Sequence, residues 1–418
     1  MPHPETWLKT LPDGLFCEPG GFYVDPVNPV ARAVITHAHA DHARSGHEAV
    51  LASPETLRIM EVRMGEDRAG GHRQPLGWGE TIDLKGVRVW LRPAGHVLGS
   101  AQVAMEWRGS RVVVSGDYKR TPDPTCLPFE PIPCDVFVTE ATFGLPVFRH
   151  PPAEGEVRRL LDSVGLFPER THVVGCYALG KCQRLIALLR RAGWDGPIFL
   201  HGALMSVCRA YEAMGIPLGD LRPATASNKA ELAGAIVLAP PSAIADRWAR
   251  RLADPVTCLA SGWMRVRQRA RARNVELPLV VSDHADWPEL CRTIEEVDAP
   301  EIWVTHGRED ALIHQVEKEG RRGRALRLIG YGDEEEEDAA DPVPGGETNA
   351  APPPLAPPAT ALGPTALAPT ALGPTTPGPT ALGPGGPDRE AAPSGAADSS
   401  AAPRRARRGR GGAGGAAA

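Results

Sequence analysis

The segment Thr36-His37-Ala38-His39-Ala40-Asp41-His42 places three histidines and an aspartate within six residues. Neutral imidazole and carboxylate are the ligands that borderline Zn²⁺ accepts, and a catalytic zinc keeps a position open for water. The segment follows the apolar run Ala33-Val34-Ile35. A strand ending there in a tight turn would point His37 and His39 to one side, because residues two apart share a face, while Asp41 and His42 swing towards a second position. One short loop can therefore feed two adjacent ions. Only 13 histidines occur in 418 residues, so three in one loop are a poor match for chance.

The same local form, an apolar run followed by a polar residue, recurs downstream. It delivers His96 in Pro93-Ala94-Gly95-His96-Val97-Leu98-Gly99-Ser100, where flanking glycines let backbone approach a site closely. It delivers Asp117 after Val112-Val113-Val114-Ser115-Gly116, Glu140 after Val136-Phe137-Val138-Thr139, His284 after Val280-Val281-Ser282-Asp283, and His306 after Ile302-Trp303-Val304-Thr305. Taken singly, each has a plainer reading: a core histidine, a strand-ending turn, an edge glutamate. Together with His37, His39, Asp41, His42, His96 and Asp117, one of the two late histidines completes seven ligands. Asp117 would bridge, since a carboxylate has two oxygens to share. Two such cations lower the pKa of a bridging water, neutralise phosphate oxygens and stabilise charge on attacking and leaving atoms. The remaining histidine is then free to act as an acid near neutral pH or to bind substrate.

The elements that must position these residues change character along the chain. Residues 15–120 read as short strands bounded by Gly, Pro or Asp, at 21–24, 33–36, 87–91, 102–107 and 111–115. From about 150 the pattern becomes strand and helix alternation: a strand at 171–175, a helix at 181–191, and strands at 197–200 and 235–239, the signature of a parallel α/β unit. Strands at 279–282 and 301–305, with a helix over 287–296, then bring back the histidine-bearing form. This order predicts an insertion inside a single sandwich core.

Composition sets further bounds. From Asp333 an acidic run leads into Pro-, Ala-, Gly- and Thr-rich sequence, with Thr-Ala-Leu-Gly-Pro recurring three times between 360 and 384, and then Arg404-Arg405-Ala406-Arg407-Arg408-Gly409-Arg410. Such a stretch cannot bury enough apolar surface to offset chain entropy, and 333–418 reads as disordered. The tail carries 6 arginines against 11 carboxylates, which leaves 40 basic and 40 acidic residues in 1–332. Any nucleic-acid binding must therefore come from a local patch and from metals rather than a global field. Eight scattered cysteines without a CxxC pair, and no apolar leader near Met1, predict a reduced cytoplasmic protein. No run approaches eighteen apolar residues, so no membrane partner is expected.

In order, His37-x-His39-x-Asp41-His42, His96, Asp117, Glu140, His284 and His306 resemble the metallo-β-lactamase superfamily, specifically its β-CASP nuclease branch, over roughly 15–332. The histidine motif alone defines the superfamily; Glu140, His284, His306 and the segment between them resemble the nucleases of DNA and RNA. The resemblance implies an α/β fold: a metallo-β-lactamase αββα sandwich (1–174 and 266–332) with an inserted α/β β-CASP domain (175–265) and the disordered tail. It implies one zinc on His37, His39 and His96 and another on Asp41, His42 and His306, with Asp117 bridging, Mn²⁺ being the alternative ion. Asp25 would orient a ligand histidine. His284 would contact the scissile phosphate or protonate the leaving oxygen, and Glu140 would hold that imidazole; Asp117 and Asp41 join them in the catalytic set. Lys181, in a Gly-basic-x-Gln helix start, would meet a phosphate, and Arg265 and Arg267 open a basic stripe through Arg273 that would grip a strand's backbone.

Within that branch, Phe22-Tyr23-Val24-Asp25-Pro26, Ser261-Gly262-Trp263-Met264 and Ser282-Asp283-His284-Ala285-Asp286-Trp287 resemble the bacterial ligase-associated DNA exonucleases, also labelled mRNA 3′-end processing factors. This implies DNA-end processing beside an ATP-dependent DNA ligase and a helicase. A ribonuclease using the same site and a non-catalytic nucleic-acid-binding member are the alternatives. Filled ligand positions disfavour the latter.

Overall fold

Period-two apolar patterning, doubled where strands are covered on both faces, decides the layers. The computed structural model describes residues 1–328 apart from 228, 229 and 253. The segment expected to be disordered, with its acidic run, repeats and Arg-rich terminus, lies outside the described residues.

The chain first lays down a sheet of β1 (Leu8–Leu11), β2 (Gly14–Cys17), β3 (Phe22–Val24), β4 (Arg32–Val34), β5 (Ala49–Ala52) and β6 (His72–Pro75), side by side in sequence order. Helix α1 (Pro54–Met64) connects β5 to β6. It starts where the Ser53 side chain accepts the Thr56 N–H and proline occupies the first turn, where a missing N–H costs nothing. A second sheet opens with β7 (Thr81–Leu84), β8 (Val87–Pro93), β9 (Ala101–Trp107) and β10 (Ser110–Val114), all antiparallel, and continues with β11 (Val136–Ala141), parallel to β10.

The chain then departs through α2 (Ala153–Leu166) and builds a third, all-parallel sheet: β12 (His172–Gly175), α3 (Lys181–Arg191), β13 (Ile198–Leu200), α4 (Gly202–Ala213), β14 (Leu221–Pro223), β15 (Ile236–Ala239), β16 (Val256–Ala260), α5 (Arg267–Ala272) and β17 (Leu277–Leu279). It returns by α6 (Trp287–Val297) to β18 (Glu301–Gly307), α7 (Glu309–Lys318) and β19 (Arg322–Ala325). β18 pairs with β11, closing the second sheet across the whole intervening segment.

Alternate residues on a single strand serve different cores. Val112 and Val114 of β10 and Val136 and Val138 of β11 join Leu15, Phe22, Val24 and Leu51 from the first sheet, which makes the two sheets a sandwich. Val113 and Phe137 face the other way, onto Leu290 and Ile294 of α6 and Leu312 of α7. Ile35, Val50 and Ala52 pack with Ile59 and Met60 of α1 on the first sheet's outer face, and the same cluster continues into α2, α3, α4 and one face of the third sheet. The fold is thus mixed α/β with helices outside a two-sheet sandwich and a third sheet joined to it. Among the described residues no helix is long and apolar enough to cross a membrane.

One local expectation changes. The apolar run 279–282 ends its strand at Leu279, where the Val280 N–H is taken by the Glu156 carboxylate at 2.8 Å instead of a ladder partner. The third sheet runs from His172 to Leu279, its edge strand β17 lying beyond α5.

Candidate metal centre

The loop after β4 is built by Asp25, which takes a positive φ of 44° at the end of β3. Its Oδ1 accepts the Thr36 N–H at 2.7 Å, and its Oδ2 accepts the Thr36 hydroxyl at 2.6 Å and the Nδ1–H of His42 at 2.8 Å. Having donated its own proton, the Thr36 hydroxyl oxygen accepts from His37 Nδ1 at 3.0 Å. His39 gives its Nε2–H to the carbonyl oxygen of Leu179 at 3.3 Å, and His96 gives its Nδ1–H to the carbonyl oxygen of Asp283 at 2.9 Å. A carbonyl can only accept, so each of these imidazoles is left presenting a lone pair inward.

Those lone pairs converge. His39 Nδ1 lies 3.1 Å from His37 Nε2 and 3.0 Å from His96 Nε2. Ligands at the usual zinc–imidazole length of about 2.0–2.1 Å stand roughly 3.3 Å apart at the corners of a tetrahedron. With their protons committed elsewhere, three buried nitrogens at this spacing repel one another unless a cation lies between them. Asp117 supplies the fourth corner, with Oδ2 3.4 Å from His37 Nε2.

Asp117 also faces a second group. Its Oδ2 is 3.2 Å from His42 Nε2 and its Oδ1 4.0 Å from His306 Nδ1, while Asp41 Oδ2 stands 3.4 Å from His42 Nε2. His306 reaches this point through a β-bulge: Glu140 pairs with Thr305 and Ala141 with Gly307, which leaves His306 as the extra residue, at φ 57°. The donor set, imidazoles and carboxylates only, fits a pair of divalent cations sharing Asp117.

Beside it, His284 Nδ1 lies 3.0 Å from Glu140 Oε2, whose other oxygen accepts the Tyr118 N–H at 2.7 Å. The His284 and His96 rings are 4.6 Å apart. His284 sits in the loop between β17 and α6. Lys119 donates to its carbonyl oxygen at 3.0 Å and pairs with Glu289 at 2.7 Å, while Glu289 and Asp286 form the capping box of α6.

Electrostatics follow the packing. Burial pushes His37 well below the usual imidazole range, with His42 adding to the shift, and burial beside His284 and His39 brings His96 down to about 3. Burial opposes charge on His42 as well, but the Asp41 and Asp117 carboxylates outweigh it and raise it well above its ordinary value. Burial likewise opposes the Asp117 charge, yet His42 holds that carboxyl well below the carboxylate range. Glu140 is raised by burial, with His284 working against the shift. Burial thus favours the neutral, donating form of His37 and His96, while the carboxylates around His42 favour its charged form.

The residues expected to meet substrate fall elsewhere. Lys181 is 4 % exposed and pairs with Asp283 Oδ1 at 3.1 Å, so its charge is turned into the protein. Arg265, Arg267, Arg269, Arg271 and Arg273 are exposed, but α5 converts their alternation in sequence into a spiral. Arg267 and Arg271 share a helix face, whereas Arg269 stacks 4.0 Å from the centre of the Trp263 ring. Sequence reasoning missed the acceptors that orient the imidazoles, Thr36, Leu179 and Asp283, and the lysine beneath His284. Backbone carbonyls carry no residue-type signal; only the adjacency of Asp283 and Lys119 to motif residues hinted at them.

Residues 24–175 match the sequence model of the metallo-beta-lactamase superfamily. The chain is 28% identical over 332 residues to a "Probable DNA ligase" of Opitutus terrae, covering 77% of this chain and 31% of that one. It is 30% identical over 219 residues to "Ribonuclease TTHA0252" of Thermus thermophilus, covering 44% and 49%, and 30% identical over 153 residues to "Cleavage and polyadenylation specificity factor subunit 3" of Dictyostelium discoideum, covering 34% and 19%. The chain thus spans about a third, a half and a fifth of the lengths of these relatives.

Proposed function

Because residues 24–175 match the metallo-beta-lactamase superfamily, we propose that this protein is a di-zinc phosphodiesterase of the β-CASP nuclease branch, acting as an exonuclease on DNA ends in the cytoplasm. The observation that carries the reading is the pair of donor groups meeting at Asp117, with the His284–Glu140 couple beside them. Two zinc ions, when bound, supply an activated water and neutralise phosphate charge. His37, His39 and His96 would hold the first ion and Asp41, His42 and His306 the second, with Asp117 available to both. Asp25 fixes the His42 ring through its Nδ1–H.

Glu140 takes the Nδ1 side of His284, so Nε2 is the atom that passes a proton to the oxygen leaving phosphorus. A carboxylate behind the ring favours the imidazolium that must form before each transfer. Hydrolysis of a lactam or small ester does not call for this couple or for a third sheet. Arg265, Arg267 and Arg271, exposed just before and along α5, are the candidates for a backbone grip.

DNA is favoured over RNA by the identity kept across a broad match. The relative named as a DNA ligase is 28% identical across 77% of this chain, whereas "Cleavage and polyadenylation specificity factor subunit 3-I" of Arabidopsis thaliana is 21% identical across 71%, and the other ribonuclease and cleavage-factor relatives match 44% and 34%. An ATP-dependent DNA ligase, with a helicase, is the corresponding partner. RNA 3′-end processing on the same residues is the second reading, and the names of those ribonuclease and cleavage-factor relatives support it.

The test is a matched assay of the zinc-loaded protein on end-labelled single-stranded DNA, duplex DNA with a 3′ overhang, and RNA of the same sequence, with Asp117→Ala as control. Stepwise shortening of DNA that vanishes in the variant is expected. Cleavage of RNA alone would move the protein to RNA maturation, and a fully active Asp117→Ala protein with native folding would sink the site itself.

A further inference from the structure

The turn leading into α3 belongs to the third sheet's segment, yet one imidazole of the first metal position is oriented by it directly and a second through Asp283, whose carboxylate meets the first residue of the helix. His39 donates to the carbonyl oxygen of Leu179, in the residue pair just before the helix. His96 donates to the carbonyl oxygen of Asp283, and Asp283 is itself tied to the helix: its carboxylate lies 3.1 Å from Lys181 Nζ, with both side chains almost wholly buried. One turn further on, buried Arg184 bonds the carbonyl oxygen of Ser282 and the Asp123 carboxylate.

The fit leaves no slack. Gly180 caps the helix at φ 82°, and a Cβ there would fall 2.3 Å from Val97, the neighbour of His96. Gln183 locks the turn by accepting the Gly180 N–H at 2.8 Å and donating to the Ala178 carbonyl oxygen at 2.9 Å.

We infer that Lys181 is a positioning residue for the metal centre: through Asp283 it fixes the carbonyl that sets the tautomer and direction of His96, so the inserted segment completes the first metal position rather than merely walling a cleft. The inference rests on the proposed metal site and replaces the phosphate-contact role that the Gly-basic-x-Gln helix start suggests for this lysine. A lysine whose ammonium is buried against a carboxylate and over the Tyr177 ring, 4.4 Å away, is not turned to a passing backbone. Groups that orient metal-bound imidazoles typically control affinity by about 10–100-fold.

The test uses the full chain and reads zinc affinity by competition with a chromogenic chelator, independently of any cleavage. Lys181→Met is expected to weaken one of two zinc equivalents by about 10–100-fold and leave the other unchanged. Removing one member of a buried ion pair strands the other charge. Lys181→Met/Asp283→Asn, which removes both charges, therefore separates a folding defect from a positioning defect, and it should show the same selective loss with native thermal unfolding.

DNA binding by the metal-free Lys181→Met protein, titrated against salt, should match wild type. Two results overturn the inference: zinc binding by the double variant identical to wild type, or a fall in DNA affinity with a salt slope reduced by about 0.9, the signature of a lost phosphate contact. A wild-type protein that holds two zinc ions but cleaves no nucleic acid would instead overturn the proposed activity and leave the zinc readout standing.

Discussion

His284 and His306 follow the same apolar-run form in sequence, but their surroundings separate them. His306 meets Asp117 at 4.0 Å, while His284 is held at 3.0 Å by Glu140. His284→Ala should therefore lower turnover by about 10²–10⁴-fold, the usual contribution of a proton-transferring group, and leave both metal equivalents bound. Inductively measured metal content settles it; loss of one equivalent would mean that the two histidines have exchanged roles. A different histidine adds an acid-sensitive contribution to stability. Burial lowers His150 to about 3, beside Lys119, and neither ring nitrogen has a hydrogen-bond partner among the described residues.

Its folded-state pKa lies below the unfolded value of 6.5. Between these values the unfolded chain therefore binds a proton that the folded one refuses, and stability falls as pH drops. From pH 7.5 to 5 this single group should cost on the order of 2 kcal/mol. His150→Leu removes that term, and denaturant unfolding at the two pH values should show a smaller decline than wild type. An unchanged decline would locate the acid sensitivity elsewhere.

At the scale of elements, the bulge in β18 is the device that aims His306. Gly307, at φ 91°, follows it, and a Cβ there would fall 2.2 Å from the Ala141 carbonyl oxygen. Gly307→Ala must either straighten the strand, turning His306 off Asp117, or push β11 away. We expect a loss on the order of 2 kcal/mol, from positive φ and from the clash, with metal content falling from two equivalents towards one. Native stability together with two bound ions would show that the bulge does not set the second position. The basic segment teaches the converse lesson. Arg265 to Arg273 alternate as a strand's residues would, yet α5 winds them, because short-range turns at Gly262–Arg265 and Asn274 isolate the segment from any ladder.

At the scale of the whole molecule, every residue assigned to the site lies between Asp25 and His306, and the second sheet closes with β18 and β19 before residue 328. A chain ending at 332 should therefore keep metal content and turnover. Because the removed part carries the whole net charge of −5 and the rest balances to zero, its loss takes away a repulsive term towards nucleic acid. Affinity at low salt should rise rather than fall. Reduced metal binding in the shortened chain would tie the tail to the centre.

Much of this protein is written in local pattern. His37, His39, Asp41 and His42 declare a metal loop because ligand type and spacing two apart are properties of a few consecutive residues. Val112 to Val114 declare a strand buried on both faces for the same reason, and the change from strand runs to strand–helix alternation near 150 shows where the sandwich is interrupted. What only the tertiary structure decides is relational. The extra residue that turns His306 inward depends on pairing between β18 and β11, which the inserted segment separates in sequence. The tautomers of His39 and His96 depend on two backbone carbonyls, which every residue has and no residue type announces. Lys181 carries the same side chain whether it meets a phosphate or an aspartate. Which one it meets is set by how α3 packs on the loop carrying His284, because a charge's partner is fixed by what burial brings against it.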